Sequence, residues 1–183
     1  MQLREILYKS NIRSVNGDLS VEVSALQLDS RKINAGDCFI AIKGYAADGH
    51  LYIQKAIELG AMAVVCEQMP DHFHDGVTYV QVENSSLAAG NMSHIFYGAP
   101  SEKLQLVGVT GTNGKTTVAT LLHQLFSALG YTCGLISTVH CLVGNKANAS
   151  SHTTPDAVSL NGLLAEMAAA KCDFVFMECS SHA

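Results

Sequence analysis

Apolar positions along this chain recur with two periods, near 3.6 and near 2, and the alternation between them outlines two α/β units. In the first, Leu3, Ile6 and Leu7 mark a short amino-terminal helix. Strands are predicted at 21–28, 37–42, 61–66 and 77–82, with helices from about 50 to 59, which Gly60 ends, and from 85 to about 97. The turn-forming cluster Gly98-Ala99-Pro100-Ser101 follows, and a second pattern begins after it. Residues 104–110 are short, apolar and β-branched at alternate positions, which predicts a buried strand. Behind them Val118, Leu121, Leu122, Leu125 and Leu129 form one apolar helical stripe that Gly130 ends. A strand at 132–138, a polar loop through 145–151, a further helix and a strand at 174–177 complete the unit. That helix has a legible start: Thr154 suits the cap, Pro155 the first helical position and Asp156 the positive end of the dipole. Leu160, Leu163, Leu164 and Met167 then supply its buried face.

Strands alternating with helices predict an α/β fold with largely parallel sheets, divided into domains at 1–98 and 99–183. The second unit stops after its third strand, early for a doubly wound domain of ordinary size. The chain is therefore expected to be part of a larger protein, with a sheet edge and apolar helix faces left uncovered.

Composition narrows the function classes. With 48% apolar and 15% charged residues, the chain is core-forming rather than disordered. Its segment Met1-Gln2-Leu3-Arg4-Glu5 lacks the pattern of a signal peptide and no run approaches the length of a membrane span, so a cytoplasmic location is expected. A formal charge of −5 without a basic cluster argues against a nucleic-acid partner. The six cysteines form no C-x-x-C pair and read as reduced, packed thiols; His72, His74 and His123 read as solvated or packed histidines.

The candidate chemistry is concentrated at Gly111, Thr112, Asn113, Gly114, Lys115, Thr116 and Thr117. A strand, a glycine loop and a helix in that order aim backbone N–H groups and a helix N-terminus at one point, which suits a polyphosphate. Lys115 would reach the β- and γ-phosphates and the Thr116 hydroxyl would ligate Mg²⁺. The strict phosphate-loop pattern is not met, since Val109 stands where its first glycine belongs. Glu178 closes an apolar strand at the end where open α/β sheets present ligand groups.

Together with three other stretches, this loop resembles the Mur ligase family, the ATP-dependent amino-acid ligases of peptidoglycan precursor synthesis. Leu28-Asp29-Ser30-Arg31, with Gly36-Asp37-Cys38-Phe39-Ile40-Ala41 and Gly44-Tyr45-Ala46-Ala47-Asp48-Gly49, resembles the family's amino-terminal segment. His152-Thr153-Thr154-Pro155-Asp156 resembles its T-T-P motif, and Met177-Glu178-Cys179-Ser180-Ser181-His182-Ala183 its M-E-V-S-S-H-A segment, with Cys179 in place of the usual valine. The resemblance implies a UDP-sugar-binding domain followed by the first part of a central ATP-binding domain. It implies ligation of meso-diaminopimelate or L-lysine to UDP-N-acetylmuramoyl-L-alanyl-D-glutamate through an acyl phosphate, using ATP and Mg²⁺, with no turnover expected of the 183 residues alone. Lys115 and Glu178 would be catalytic, Thr116 and Glu178 would hold Mg²⁺, and 111–117 would bind ATP. Leu28, Ser30, Tyr45, Ala46 and Ala47 would bind the uridine diphosphate end, with Ser30 exposed beside the 45–47 turn. His152, Thr153, Thr154 and Ser180 would contact the muramoyl peptide. Two alternatives stay open: another ATP-dependent ligase such as a folylpolyglutamate synthetase, and a nucleotide-binding module without catalysis.

Overall fold

The protein is described by a computed structural model covering residues 1–44, 47–144, 146–148 and 155–180. It divides into two compact units, Met1–Phe96 and Tyr97–Ala183. The first contains α1 (Leu3–Ile6), β1 (Ile12–Asn16), β2 (Leu26–Gln27), a 3₁₀ turn at Ser30–Lys32 and β3 (Cys38–Ile40). A second 3₁₀ turn, Gly49–Tyr52, then leads into α2 (Ile53–Glu58), followed by β4 (Ala63–Cys66), β5 (Thr78–Val82) and α3 (Ser85–Phe96). The strands are ordered β1-β5-β4-β3-β2, with β2 to β5 parallel and β1 antiparallel to β5. Every residue of β3 and β4 is buried, as their unbroken apolar runs require of parallel strands covered on both faces. Phe39, Val64 and Tyr79 form one core with Ile53 and Ala56 of α2.

Two expectations about strands fail in this unit. β1 was not foreseen, because the edge strand Ile12-Arg13-Ser14-Val15-Asn16 is exposed throughout and carries no one-sided apolar alternation. The strand expected at 21–28 shrinks to Leu26–Gln27. Its front half bonds to the amino terminus instead, with the Leu3 N–H donating to the Val21 carbonyl and the Val23 N–H to the Met1 carbonyl, both at 2.9 Å.

The second unit contains β6 (Gln105–Val109), α4 (Lys115–Ala128), β7 (Cys133–Ile136), β8 (Cys141–Val143), β9 (Lys146–Asn148), α5 (Ala157–Ala169) and β10 (Phe174–Glu178). The order is β6-β10-β7-β8-β9, with β6, β10 and β7 parallel and β7-β8-β9 antiparallel. β6 is an edge strand and largely exposed, not the buried strand expected from its composition. α4 likewise turns Ala119, Leu122 and Phe126 onto Cys133, Leu135 and Phe176. Val118, Leu121, Leu125 and Leu129, the longer apolar stripe, are 45–64% exposed. Apolar spacing marks a face that favours cover; it does not say which neighbour supplies the cover.

The β8–β9 hairpin begins ahead of the expected polar loop and runs into it; Asn145 and 149–151 lie outside the described residues. α5 starts two residues later than expected. Asp156 is its cap, accepting the Ser159 N–H at 2.9 Å and the Ser159 hydroxyl at 2.8 Å, so Pro155 precedes the helix instead of opening it. Thr154 lies outside the described residues. Leu164 and Met167 are buried as expected. Among the described residues, no helix is long and apolar enough to cross a membrane.

Candidate functional site

β6 ends at Val109 and α4 begins at Lys115, so residues 110–114 form a short loop between parallel strand and helix. Gly111 (φ 145°) and Gly114 (φ 79°) take backbone conformations that L side chains rarely adopt. The first helical bond runs from the Val118 N–H to the Gly114 carbonyl at 2.9 Å. The amides just ahead of it belong to the first helical turn, which has no i−4 acceptors within the helix. Together with the positive end of the helix dipole, they form an anion-attracting end. Lys115 folds back over the loop, its Nζ donating to the Gly111 carbonyl at 2.7 Å.

Glu178 pairs with Val109 across parallel strands, which sets the carboxylate-bearing end of β10 beside the start of the loop. The Cys179 N–H continues the ladder to the Val109 carbonyl at 2.9 Å. The Glu178 side chain is buried, and Thr138 donates to both of its oxygens, through its N–H at 3.0 Å and its hydroxyl at 3.2 Å. Thr138, just past β7, was not singled out in the sequence; a single threonine in a β-branched run carries no signal of such a role. Thr116, in the first turn of α4, is half-buried, and Thr112, Asn113 and Thr117 are exposed. Ser180 follows β10 and is half-buried.

The first unit holds a cleft of about 380 Å³ lined by Leu28, Ser30, Ala47, Gly49, Tyr52 and Lys55, among others. Leu28, Ser30 and Ala47 therefore share one cavity. Ser30 is only 6% exposed, against the expectation that it lies open to solvent: the 3₁₀ turn it opens carries it into the cleft. Asp29 and Arg31 flank it as a bidentate pair, with Arg31 Nε and Nη2 donating to the two Asp29 oxygens at 2.9 and 2.8 Å. The bonds from the Arg31 side chain and N–H hold the Asp29 carboxyl down at about 2. Tyr45, Ala46, His152, Thr153 and Thr154 lie outside the described residues.

Sequence reasoning passed over Gly49, Tyr52 and Lys55. The Asp48-Gly49-His50 step was the available signal, since an aspartate that accepts the N–H two residues on is a common cap of a helical turn. A smaller cavity of about 230 Å³ in the second unit is lined by His123, Ser127, Tyr131, Thr132, Cys133 and Gly144. Burial lowers the His123 imidazole from its ordinary range.

Two α/β units, one with a cleft and one with a strand–glycine loop–helix beside an acidic strand end, have the architecture of a nucleotide-binding α/β protein. The chain belongs to the Mur ligase family: the model described as Mur ligase family, catalytic domain, matches residues 22–97, and that of the Mur ligase middle domain matches 109–183. A UDP-N-acetylmuramoyl-L-alanyl-D-glutamate–2,6-diaminopimelate ligase of Cytophaga hutchinsonii is 50% identical over 184 residues, covering all of this chain and 38% of its own length. The chain thus spans well under half the length of the curated relatives it matches. A solved structure of a ligase of the same name superimposes with a TM-score of 0.76 at 25% identity, over 100% of this chain and 36% of that one. MurF ligase from Thermotoga maritima in complex with ADP shares the fold, with a TM-score of 0.57 at 23% identity over 91% of this chain and 34% of that one.

Proposed function

We propose that the chain supplies the uridine-diphosphate cleft and the phosphate loop of an ATP-dependent ligase that adds diaminopimelate to UDP-N-acetylmuramoyl-L-alanyl-D-glutamate. The observation that carries this reading is the register that sets Glu178 beside Val109, so that an acidic strand end adjoins the loop bearing Lys115. The names of the full-length relatives support the choice of amino acid and muramoyl substrate. The family's use of ATP supports the nucleotide and, with it, a cytoplasmic location.

In this reading a substrate carboxylate attacks the γ-phosphorus of ATP, ADP departs, and the amine of the incoming amino acid displaces phosphate from the acyl phosphate. The work of the protein is alignment and charge neutralisation. Lys115 leaves the Gly111 carbonyl for the phosphates, and the first-turn amides of α4 receive the remaining phosphate oxygens. The donors that would hold Mg²⁺ are the Thr116 hydroxyl and the Glu178 carboxylate, an oxygen-only set that suits this hard cation. Bound there, Mg²⁺ would neutralise phosphate charge. The buried Thr138–Glu178 contacts fix the carboxylate before any ligand arrives. Leu28, Ser30, Tyr45, Ala46 and Ala47 hold the uridine diphosphate, and His152, Thr153, Thr154 and Ser180 the muramoyl peptide. Binding without turnover is the expected behaviour of the 183 residues by themselves.

Titration calorimetry tests the assignment. Lys115→Ala should weaken ATP binding by about 1.5–3 kcal/mol, the usual size of a charge-assisted contact, while UDP binding is unchanged. An ATP affinity equal to that of the parent chain would remove Lys115 from the site.

A further inference from the structure

Ala47 and Gly49, which line the cleft together with Ser30, are anchored by backbone bonds. The Gly49 N–H donates to the Ile42 carbonyl at 2.8 Å, and the Gly44 N–H to the Ala47 carbonyl at 3.0 Å. A Cβ at Gly49 would stand 2.8 Å from both the nitrogen and the oxygen of Ile42, so this backbone is docked as closely as glycine allows. Immediately after it comes His50, whose side chain is 12% exposed and is held at both ring nitrogens. Nδ1 lies 2.7 Å from Asp48 Oδ1, and Nε2 accepts the Glu67 N–H at 3.0 Å. Asp48 Oδ1 also accepts the His50 N–H at 3.0 Å.

Only one ring state satisfies both ends. Asp48 is an acceptor, so Nδ1 carries the proton; the Glu67 amide is a donor, so Nε2 must be bare. Glu67 follows β4, and its own carboxylate accepts the Ser85 N–H at 2.8 Å and the Ser85 hydroxyl at 2.9 Å at the start of α3. One imidazole thus ties the chain at the cleft wall to the end of a buried strand, and the Glu67 carboxylate ties that strand end to a helix.

We propose that His50 is a positioning residue for the cleft: its neutral Nδ1–H ring latches the Ala47–Gly49 wall to β4 and so sets the spacing across which a nucleoside diphosphate is gripped. This rests on the reading of the cleft as a UDP site. His50 touches no ligand in this scheme; it removes freedom from the wall that a ligand would otherwise have to order.

The test uses the whole 183-residue chain and UDP as the probe. His50→Phe keeps a ring but no nitrogen and should weaken UDP binding about tenfold, the size of one or two lost hydrogen bonds. His50→Gln places an acceptor within reach of the Glu67 N–H and should recover most of that loss. In the parent chain, ¹⁵N spectra of the imidazole should show a protonated Nδ1 and a bare Nε2. The wild-type spectrum needs no variant to fold, and a protonated Nε2 would overturn the latch outright. So would equal UDP affinity in His50→Phe and wild type, or a His50→Gln chain as weak as His50→Phe. Failure of wild type to bind UDP would instead bring down the UDP reading, and the affinity proposal with it.

Discussion

The two units solve one problem, covering a parallel sheet, to different degrees. In Met1–Phe96 the central strands β3 and β4 are buried at every position, and α2 seats Ile53 and Ala56 on them. In Tyr97–Ala183 the sheet begins at an exposed strand, β6, and α4 shows its longer apolar stripe to solvent. Both sequences ask for burial with equal clarity. The difference teaches that a hydrophobic pattern states a demand, and that meeting it depends on which surfaces lie within reach.

The contrast can be tested by truncating aliphatic side chains. Ile40→Ala, at the end of β3 and without exposure, should lower unfolding stability by about 2–5 kcal/mol in a denaturant titration. A loss below 1 kcal/mol would show the first unit to be looser than its packing implies. Next in size comes Ser30→Ala in the cleft, for which a UDP affinity lower by about 0.5–1.5 kcal/mol is expected by calorimetry. Unaltered binding would separate the cleft from its assigned ligand. Leu125→Ala, on the exposed face of α4, should stay within about 0.5 kcal/mol of the parent. A cost like that of Ile40→Ala would mean that this stripe is covered in solution.

The smallest effect concerns pH. The Arg31 side chain donates to the Asp29 carboxyl and lowers it from 3.8 to about 2. A depressed acid favours the fold when ionised, so the contribution is complete above about 3.8 and disappears as pH falls through about 2. Because the pair is on the surface, salt should diminish it further. Comparing Asp29→Asn with the parent across that window would reveal it, and a difference that grew on acidification would contradict the sign.

What could be read in the sequence follows from the physics of each element. The buried strands around Val64 and Val80 announce themselves because only apolar residues survive there, and the loop at 111–117 because few other sequences put glycine, lysine and threonine between a strand and a helix. β1 stayed hidden because an edge strand exposed on both faces obeys no period. Leu104 to Val109 misled in the opposite direction: β-branched residues favour strands whether or not they are covered. Of the candidate site, Lys115 beside Gly114 stood out in the local sequence, whereas Ser30 was singled out only through the resemblance of its segment to the family's, and its burial was not foreseen. Thr138 and His50 were not legible, because their partners Glu178 and Glu67 lie 40 and 17 residues away.

The place of β10 in its sheet has a consequence in time. β6 and β7 do not pair with each other; β10, made last of these strands, enters between them and bonds to both. While the chain is being synthesised, β6 and β7 must wait with open edges until residues 174–178 emerge. The first unit has the same arrangement, with β5 joining β1 to β4; β1 waits for β5 about as long as β6 waits for β10, but β4 is followed by β5 much sooner than β7 is by β10. Closure by a late central strand raises the sequence separation of the decisive contacts and slows folding. β7 therefore stays longer than β4 in the state in which an unpaired edge can capture another chain. The strand that ends this interval is the one that carries Glu178, so the unit gains its sheet and its acidic strand end in a single step.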